Sequence, residues 1–184
     1  MGREEVVLLG PDLRPAGTAD KATVHTARTP LHLAFSCWLF DATGAVLVTR
    51  RALSKKTWPG VWTNSFCGHP GPGEPLEDAV RRRASAEIGL DPALIESLIP
   101  VLPDFSYRAT DSSGIVENEF CPVYAARLSV PAQRAGLEPS PAEVDSWEWV
   151  SGANLKAAAE AAPFAFSPWL VEELADPRLR GLLA

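Results

Sequence analysis

The chain has 184 residues, 46% hydrophobic and 22% charged, with a net charge of −6 and a pI near 5.1. That length fits one domain with a full hydrophobic core over 1–184, and the acidic balance argues against nonspecific nucleic-acid binding, which needs clustered positive charge. The three cysteines, Cys37, Cys67 and Cys121, are too few for a secreted disulfide framework, and the apolar runs 6–9 and 34–40 are too short for a signal peptide or a membrane span, so we expect a cytoplasmic protein that engages no membrane.

Residues 5–9 read as a strand and Gly10-Pro11-Asp12 as a turn. Asp20 is placed to cap a short helix over 21–25. A strand signal runs over 32–40, and Asp41-Ala42-Thr43-Gly44 turns it into 45–50 as a hairpin. Pro75 at a first helical position and Gly89 just past the end frame a helix over 75–88, with an apolar stripe of Leu76, Ala79, Val80, Ala84 and Ile88. Strand-like segments follow at 102–109, 116–128 and 146–150, then helices over 153–162 and 168–174. The pattern predicts a mixed α/β (α+β) domain in which helices flank a mostly antiparallel sheet.

Chemistry concentrates in Cys67-Gly68-His69-Pro70, which follows an aromatic and glycine-rich run over 58–66. Glu117 and Glu119 alternate on a predicted strand and so share a face. Two such carboxylates repel unless a cation or a proton intervenes. His25, His32 and His69 are the chain's three histidines. Each alone is more often structural, but together with these glutamates they would form a metal site. Imidazoles with carboxylates suit Mn²⁺, Zn²⁺ or Fe²⁺ better than a purely oxygen site does, with Mg²⁺ also compatible.

Gly68, Glu74, Arg82, Glu87, Gly89 and Leu90 stand at the spacing of a Nudix box, a loop–helix–loop signature for metal-bound diphosphate. Arg83 and Ala86 occupy two positions where Nudix hydrolases carry metal-binding glutamates, which weakens hydrolysis of a nucleoside diphosphate derivative as the activity. Arg83 and Glu87 lie four residues apart on one helix face: either a solvated ion pair, or Arg83 for a diphosphate and Glu87 for its Mg²⁺.

The run 57–70, together with Tyr107-Arg108-Ala109, Gly114-Ile115-Val116-Glu117-Asn118-Glu119 and Phe166-Ser167-Pro168-Trp169, resembles type I isopentenyl-diphosphate isomerases, which have a Nudix-like fold. The likeness extends over about 4–175. It implies interconversion of isopentenyl and dimethylallyl diphosphate, with Cys67 and Glu119 as the catalytic pair and Tyr107 beside Glu119. It implies His25, His32, His69, Glu117 and Glu119 as ligands of Mn²⁺, Mg²⁺ or Zn²⁺. Glu87 and the main chain of Cys67 match a second site, for the Mg²⁺ that accompanies the diphosphate. Lys21, Arg51, Lys55 and Arg83 match contacts to the diphosphate, and Trp169 matches the aromatic facing the isoprenoid carbons. A small-molecule substrate, no flavin and a monomer are the remaining expectations.

Overall fold

The computed structural model describes residues 4–183. The hairpin of β1 (Glu5–Leu9) and β2 (Pro15–Asp20) leads into α1 (Lys21–Val24), where the Asp20 side chain accepts from the Ala22 amide. Next come β3 (His32–Leu33), β4 (Phe35–Phe40), β5 (Val46–Arg51), β6 (Trp62–Thr63), β7 (Phe66–Gly68) and the helix α2 (Leu76–Ile88). Five strands follow: β8 (Ile95–Leu102), β9 (Ser106–Thr110), β10 (Val116–Phe120), β11 (Val123–Leu128) and β12 (Val144–Val150). The chain ends in α3 (Gly152–Ala161), α4 (Pro168–Ala175) and α5 (Pro177–Arg180). No helix among the described residues is long and apolar enough to cross a membrane.

Pairing is mostly antiparallel, as expected, but it builds two sheets rather than one. The first has the order β2-β1-β3-β10-β9. The second runs β12-β5-β4-β11-β8, with β6 paired to β5 and β7 to β4. The pairs β3/β10 and β4/β11 are parallel.

Two continuous strand signals are broken, and a third conceals a turn. The segment 32–40 breaks at Ala34, 116–128 breaks at Cys121-Pro122, and 102–109 joins the end of β8 to β9 across Pro103-Asp104-Phe105. These breaks are neighbours in space. Ala34 N–H donates to Phe120 O at 2.9 Å, Ser36 N–H to Pro122 O at 3.1 Å and Cys121 N–H to Phe105 O at 2.9 Å. All three segments therefore pass from one sheet to the other at the same level. Pro103 and Pro122 have no N–H for a ladder, which favours the breaks there. Sequence alternation misses the crossing because both sides of it are buried.

Other differences are smaller. Pro75 is the N-cap of α2, outside its first turn. The predicted hairpin is short, since β4 and β5 meet only at Phe40 and Val46. Strand β2 was not anticipated, because its residues carry no apolar alternation and it is held by ladder bonds to β1. Strands β6 and β7, the early part of β8, and α5 were also missed.

The second sheet is covered on both faces. Phe35, Cys37 and Leu39 of β4 pack with α2, whereas Trp38 and Phe40 pack with α3, α4 and α5. Helix α2 starts with Glu77 and Asp78 in its first turn, where the helix dipole favours acids. It ends at Gly89, whose φ of 64° and whose close approach to the Glu138 backbone both exclude a side chain. Burial of Val80 and Ile88 contributes about 1.5–3 kcal/mol each.

Candidate active site

Residues of both sheets and of α1, α2 and α4 line a cleft of about 560 Å³. In the first sheet, Glu119 on β10 is in register with His32 on β3 and with Tyr107 on β9. Cross-strand partners on one rung share a face, so ladder pairing alone brings imidazole, carboxylate and phenol together. Glu117 sits two residues along β10, on the same face. The second sheet adds Cys67 from β7 and then His69, α1 ends at His25, and α2 supplies Arg83 and Glu87. All the residues anticipated from the sequence line this cleft except His32, which is fully buried behind His69 and Glu119.

The three imidazoles have ring centroids 5.1–5.8 Å apart. The ligand atoms of His25, His32, His69 and Glu119 lie within 4.8 Å of one another. His32 Nδ1 donates to Pro30 O at 2.9 Å, so Nε2 of the neutral ring turns its lone pair to the group. His69 Nε2 lies 3.0 Å from Glu119 Oε1. His25 Nε2 and Glu117 Oε2 are only 2.9 Å apart, yet each is buried without a hydrogen bond among the described residues. Two orphaned atoms aimed at one point, within a set of imidazoles and carboxylates, fit a divalent metal ion.

The electrostatics follow from burial and the shared carboxylate. Burial draws His69 down, against its bond to Glu119. Burial also opposes charge on His32, but there the Glu119 carboxylate prevails and raises it. Glu119 is held well below the usual carboxylate range, because its two imidazoles outweigh its burial. Its other oxygen, Oε2, accepts from Tyr107 OH at 2.9 Å. Glu117 Oε1 accepts from Thr57 Oγ1 at 2.6 Å.

Basic side chains also line the cleft, already engaged. Lys21 pairs with Glu4 at 2.7 Å. Lys55 pairs with Glu143, which also takes Arg83 Nη2 at 3.1 Å, and Arg83 grips Glu87 Oε1 through Nε at 2.9 Å and through Nη2. Arg83 and Glu87 are therefore a buried pair facing the cleft, not a solvated one. Burial, reinforced by Glu143, pushes the Glu87 carboxyl up despite Arg83. Arg51 donates to Thr57 O at 2.9 Å, and its guanidinium lies 5.1 Å from the centre of the Trp169 ring. Trp169 also meets Tyr107 at 5.5 Å and Trp58 at 5.6 Å. Burial pushes the Cys67 thiol up, only partly relieved by the Asn64 amide.

A NUDIX domain family model matches residues 30–170. Isopentenyl-diphosphate Delta-isomerases of Kocuria rhizophila and Paenarthrobacter aurescens are 55% and 60% identical to the chain, over 98% and 91% of its length and 96% and 86% of theirs. The chain belongs to the isopentenyl-diphosphate Delta-isomerase family. A crystal structure of a Deinococcus radiodurans protein superposes with a TM-score of 0.70 at 22% identity, over 94% of this chain and 98% of that one, a likeness of fold. So does a Nudix hydrolase of M. smegmatis, with a TM-score of 0.54 at 19% identity over 82% and 84%.

Four cleft or near-cleft residues of this isomerase-family chain escaped the sequence reading. Glu143 lies in a loop with no motif around it, and only the fold carries it to Lys55 and Arg83. Lys56 donates to His25 O at 2.6 Å and Thr57 holds Glu117, both from the loop before β6. Asn64 sits within the aromatic run, where its role depends on contacts far away in sequence.

Proposed function

We infer that this chain is an isopentenyl-diphosphate Delta-isomerase, moving a double bond between isopentenyl and dimethylallyl diphosphate through protonation and deprotonation. The observation that carries the reading is one cleft lined both by Lys21, Arg51, Lys55 and Arg83 and by Cys67, Glu119, Tyr107 and Trp169. The full-length relatives carrying that name support it.

The diphosphate anchors the substrate through Lys21, Arg51, Lys55 and Arg83, so that binding energy at one end fixes the reacting carbons at the other. Glu87 and the Cys67 main chain would hold an Mg²⁺ accompanying the diphosphate, which would offset part of its negative charge. His25, His32, His69, Glu117 and Glu119 would hold a second divalent ion, Mn²⁺, Mg²⁺ or Zn²⁺, which would supply positive charge that adjusts the acidity of Glu119. Burial holds the Cys67 thiol up and the two imidazoles hold the Glu119 carboxyl down, which favours a proton on sulfur and a charge on the carboxylate. They thus form a donor and acceptor of opposite state, which a two-proton allylic shift requires. Glu119 presents Oε1 to the imidazoles and Oε2 to Tyr107, so Oε2 is the oxygen that exchanges a proton with carbon. Alkene protonation gives a tertiary carbocation. The Trp169 ring already lies against the Arg51 guanidinium and offers such a cation an electron-rich face worth about 2 kcal/mol when desolvated.

We read the chain as one monomeric domain working in the cytoplasm, where a reducing environment keeps Cys67 a free thiol. Incubating isopentenyl diphosphate with the protein and Mg²⁺ in deuterated water tests the reading. Dimethylallyl diphosphate carrying solvent deuterium is expected. Release of phosphate or a nucleoside monophosphate from a nucleoside diphosphate derivative, with no double-bond shift, would establish hydrolysis instead.

A further inference from the structure

Behind the cleft lies a buried polar network that the reaction does not touch. Asn64 is fully buried between β6 and β7. Its amide nitrogen shares two hydrogens among Ser36 Oγ at 2.9 Å and the carbonyls of Cys37 at 3.0 Å and Phe66 at 2.9 Å, and lies 3.3 Å from Cys67 Sγ. Its amide oxygen accepts from Trp169 Nε1 at 3.1 Å and from Thr63 Oγ1 at 2.9 Å, and is also 3.3 Å from Cys67 Sγ. One amide therefore holds both the sulfur and the indole. Flipped, it would set its NH₂ against the indole N–H and its oxygen against two carbonyls, an arrangement with several buried groups unsatisfied.

Glu173 secures that amide from behind. The Ser36 hydroxyl has a single hydrogen and gives it to Glu173 Oε2 at 3.0 Å, which leaves its lone pairs for Asn64 Nδ2. Trp38 Nε1 donates to the same oxygen at 2.6 Å. Glu173 stands four residues after Trp169 on α4, so one face of the helix reaches Asn64 twice, directly through Trp169 and through Ser36. Burial pushes the Glu173 carboxyl up to about 8. Near neutrality it keeps a proton, and Oε1, which has no hydrogen-bond partner among the described residues, is the oxygen left to carry it. Packing alone gives no reason for a carboxyl at a fully buried position, where it is expensive to desolvate.

We propose that Glu173 is a positioning residue for the isomerisation: by orienting the Ser36 hydroxyl it fixes the Asn64 amide, which aims the Cys67 sulfur and the Trp169 ring at the hydrocarbon end of the substrate. The proposal rests on the isomerase reading above, and steady-state kinetics on the full chain with isopentenyl diphosphate and Mg²⁺ separates the two. Absence of product from the unmodified protein overturns the isomerase reading itself. Given turnover, Glu173→Leu lowers kcat about tenfold, the equivalent of one lost hydrogen bond at the transition state, while KM and affinity for inorganic diphosphate stay within about twofold. Glu173→Gln, isosteric with the protonated acid, keeps kcat within about threefold. Ser36→Ala cuts the link without emptying the Glu173 position and decides the matter if Glu173→Leu does not fold; it lowers kcat in the same way. Unchanged kcat in Ser36→Ala overturns the positioning role, as does an equal loss in the Gln and Leu variants or a loss carried by KM.

Discussion

Desolvation weakens both Cys67 and Glu173 as acids, for different purposes. Cys67 opens onto the cleft and exchanges its proton, so Cys67→Ala should lower kcat by about 10²–10⁴-fold while sparing binding of inorganic diphosphate. Unchanged turnover in that variant would remove Cys67 from the reaction. Glu173 never meets substrate, and its proton shows in stability instead. Burial raises the folded carboxyl to about 8, whereas an ordinary glutamate carboxyl titrates near 4.5. Between those values the folded state binds more protons than the unfolded one, so raising the pH favours unfolding by up to about 1.4 kcal/mol per unit. Relative to Glu173→Gln, the unmodified protein should lose roughly 2–3 kcal/mol between about pH 5.5 and about pH 7.5 in urea denaturation, and parallel curves would refute a raised Glu173. The sequence singled out Cys67 because a thiol two residues from a histidine is conspicuous. Nothing local marks Glu173, since a glutamate at the end of an amphipathic helix looks like any solvated one.

At the scale of elements, the diphosphate end depends on how closely β7 passes α2. A side chain at Gly68 would come within 2.7 Å of Arg83 Cγ and 3.1 Å of the Phe35 ring. Gly68→Ala should therefore cost about 1–3 kcal/mol of stability and raise KM for the diphosphate substrate by displacing Arg83. Denaturation and steady-state kinetics check both, and a variant normal in each would show that the approach tolerates a methyl group. Helix α2 was legible because its acidic first turn, apolar stripe and terminal glycine act locally. The catalytic strands were legible only as longer segments. Alternation in 32–40 and 116–128 reports burial, and burial continues through the kinks at Ala34 and Pro122, where each segment changes sheet.

For the molecule as a whole, the cleft exists because two sheets, α1 and α2 meet around it, and a bound ion would tie these parts together. Metal removal with a chelator should lower the melting temperature by about 5–10 °C, since an ion bound only by the folded state at a hundred times its Kd adds about 2.7 kcal/mol. An identical melting curve with and without Mn²⁺ or Mg²⁺ would argue against an ion at the histidines. The sequence by itself determined the family, the helix α2 and about half of the residues that line the cleft, because spacing within a motif and capping of a helix are written in contiguous residues. Tertiary structure alone decided that there are two sheets, that His32, Glu119 and Tyr107 share one rung, that Glu143 pairs with both Lys55 and Arg83, and that Glu173 backs Asn64. Each of those depends on register or contact between segments tens of residues apart, and neither composition nor periodicity carries that information.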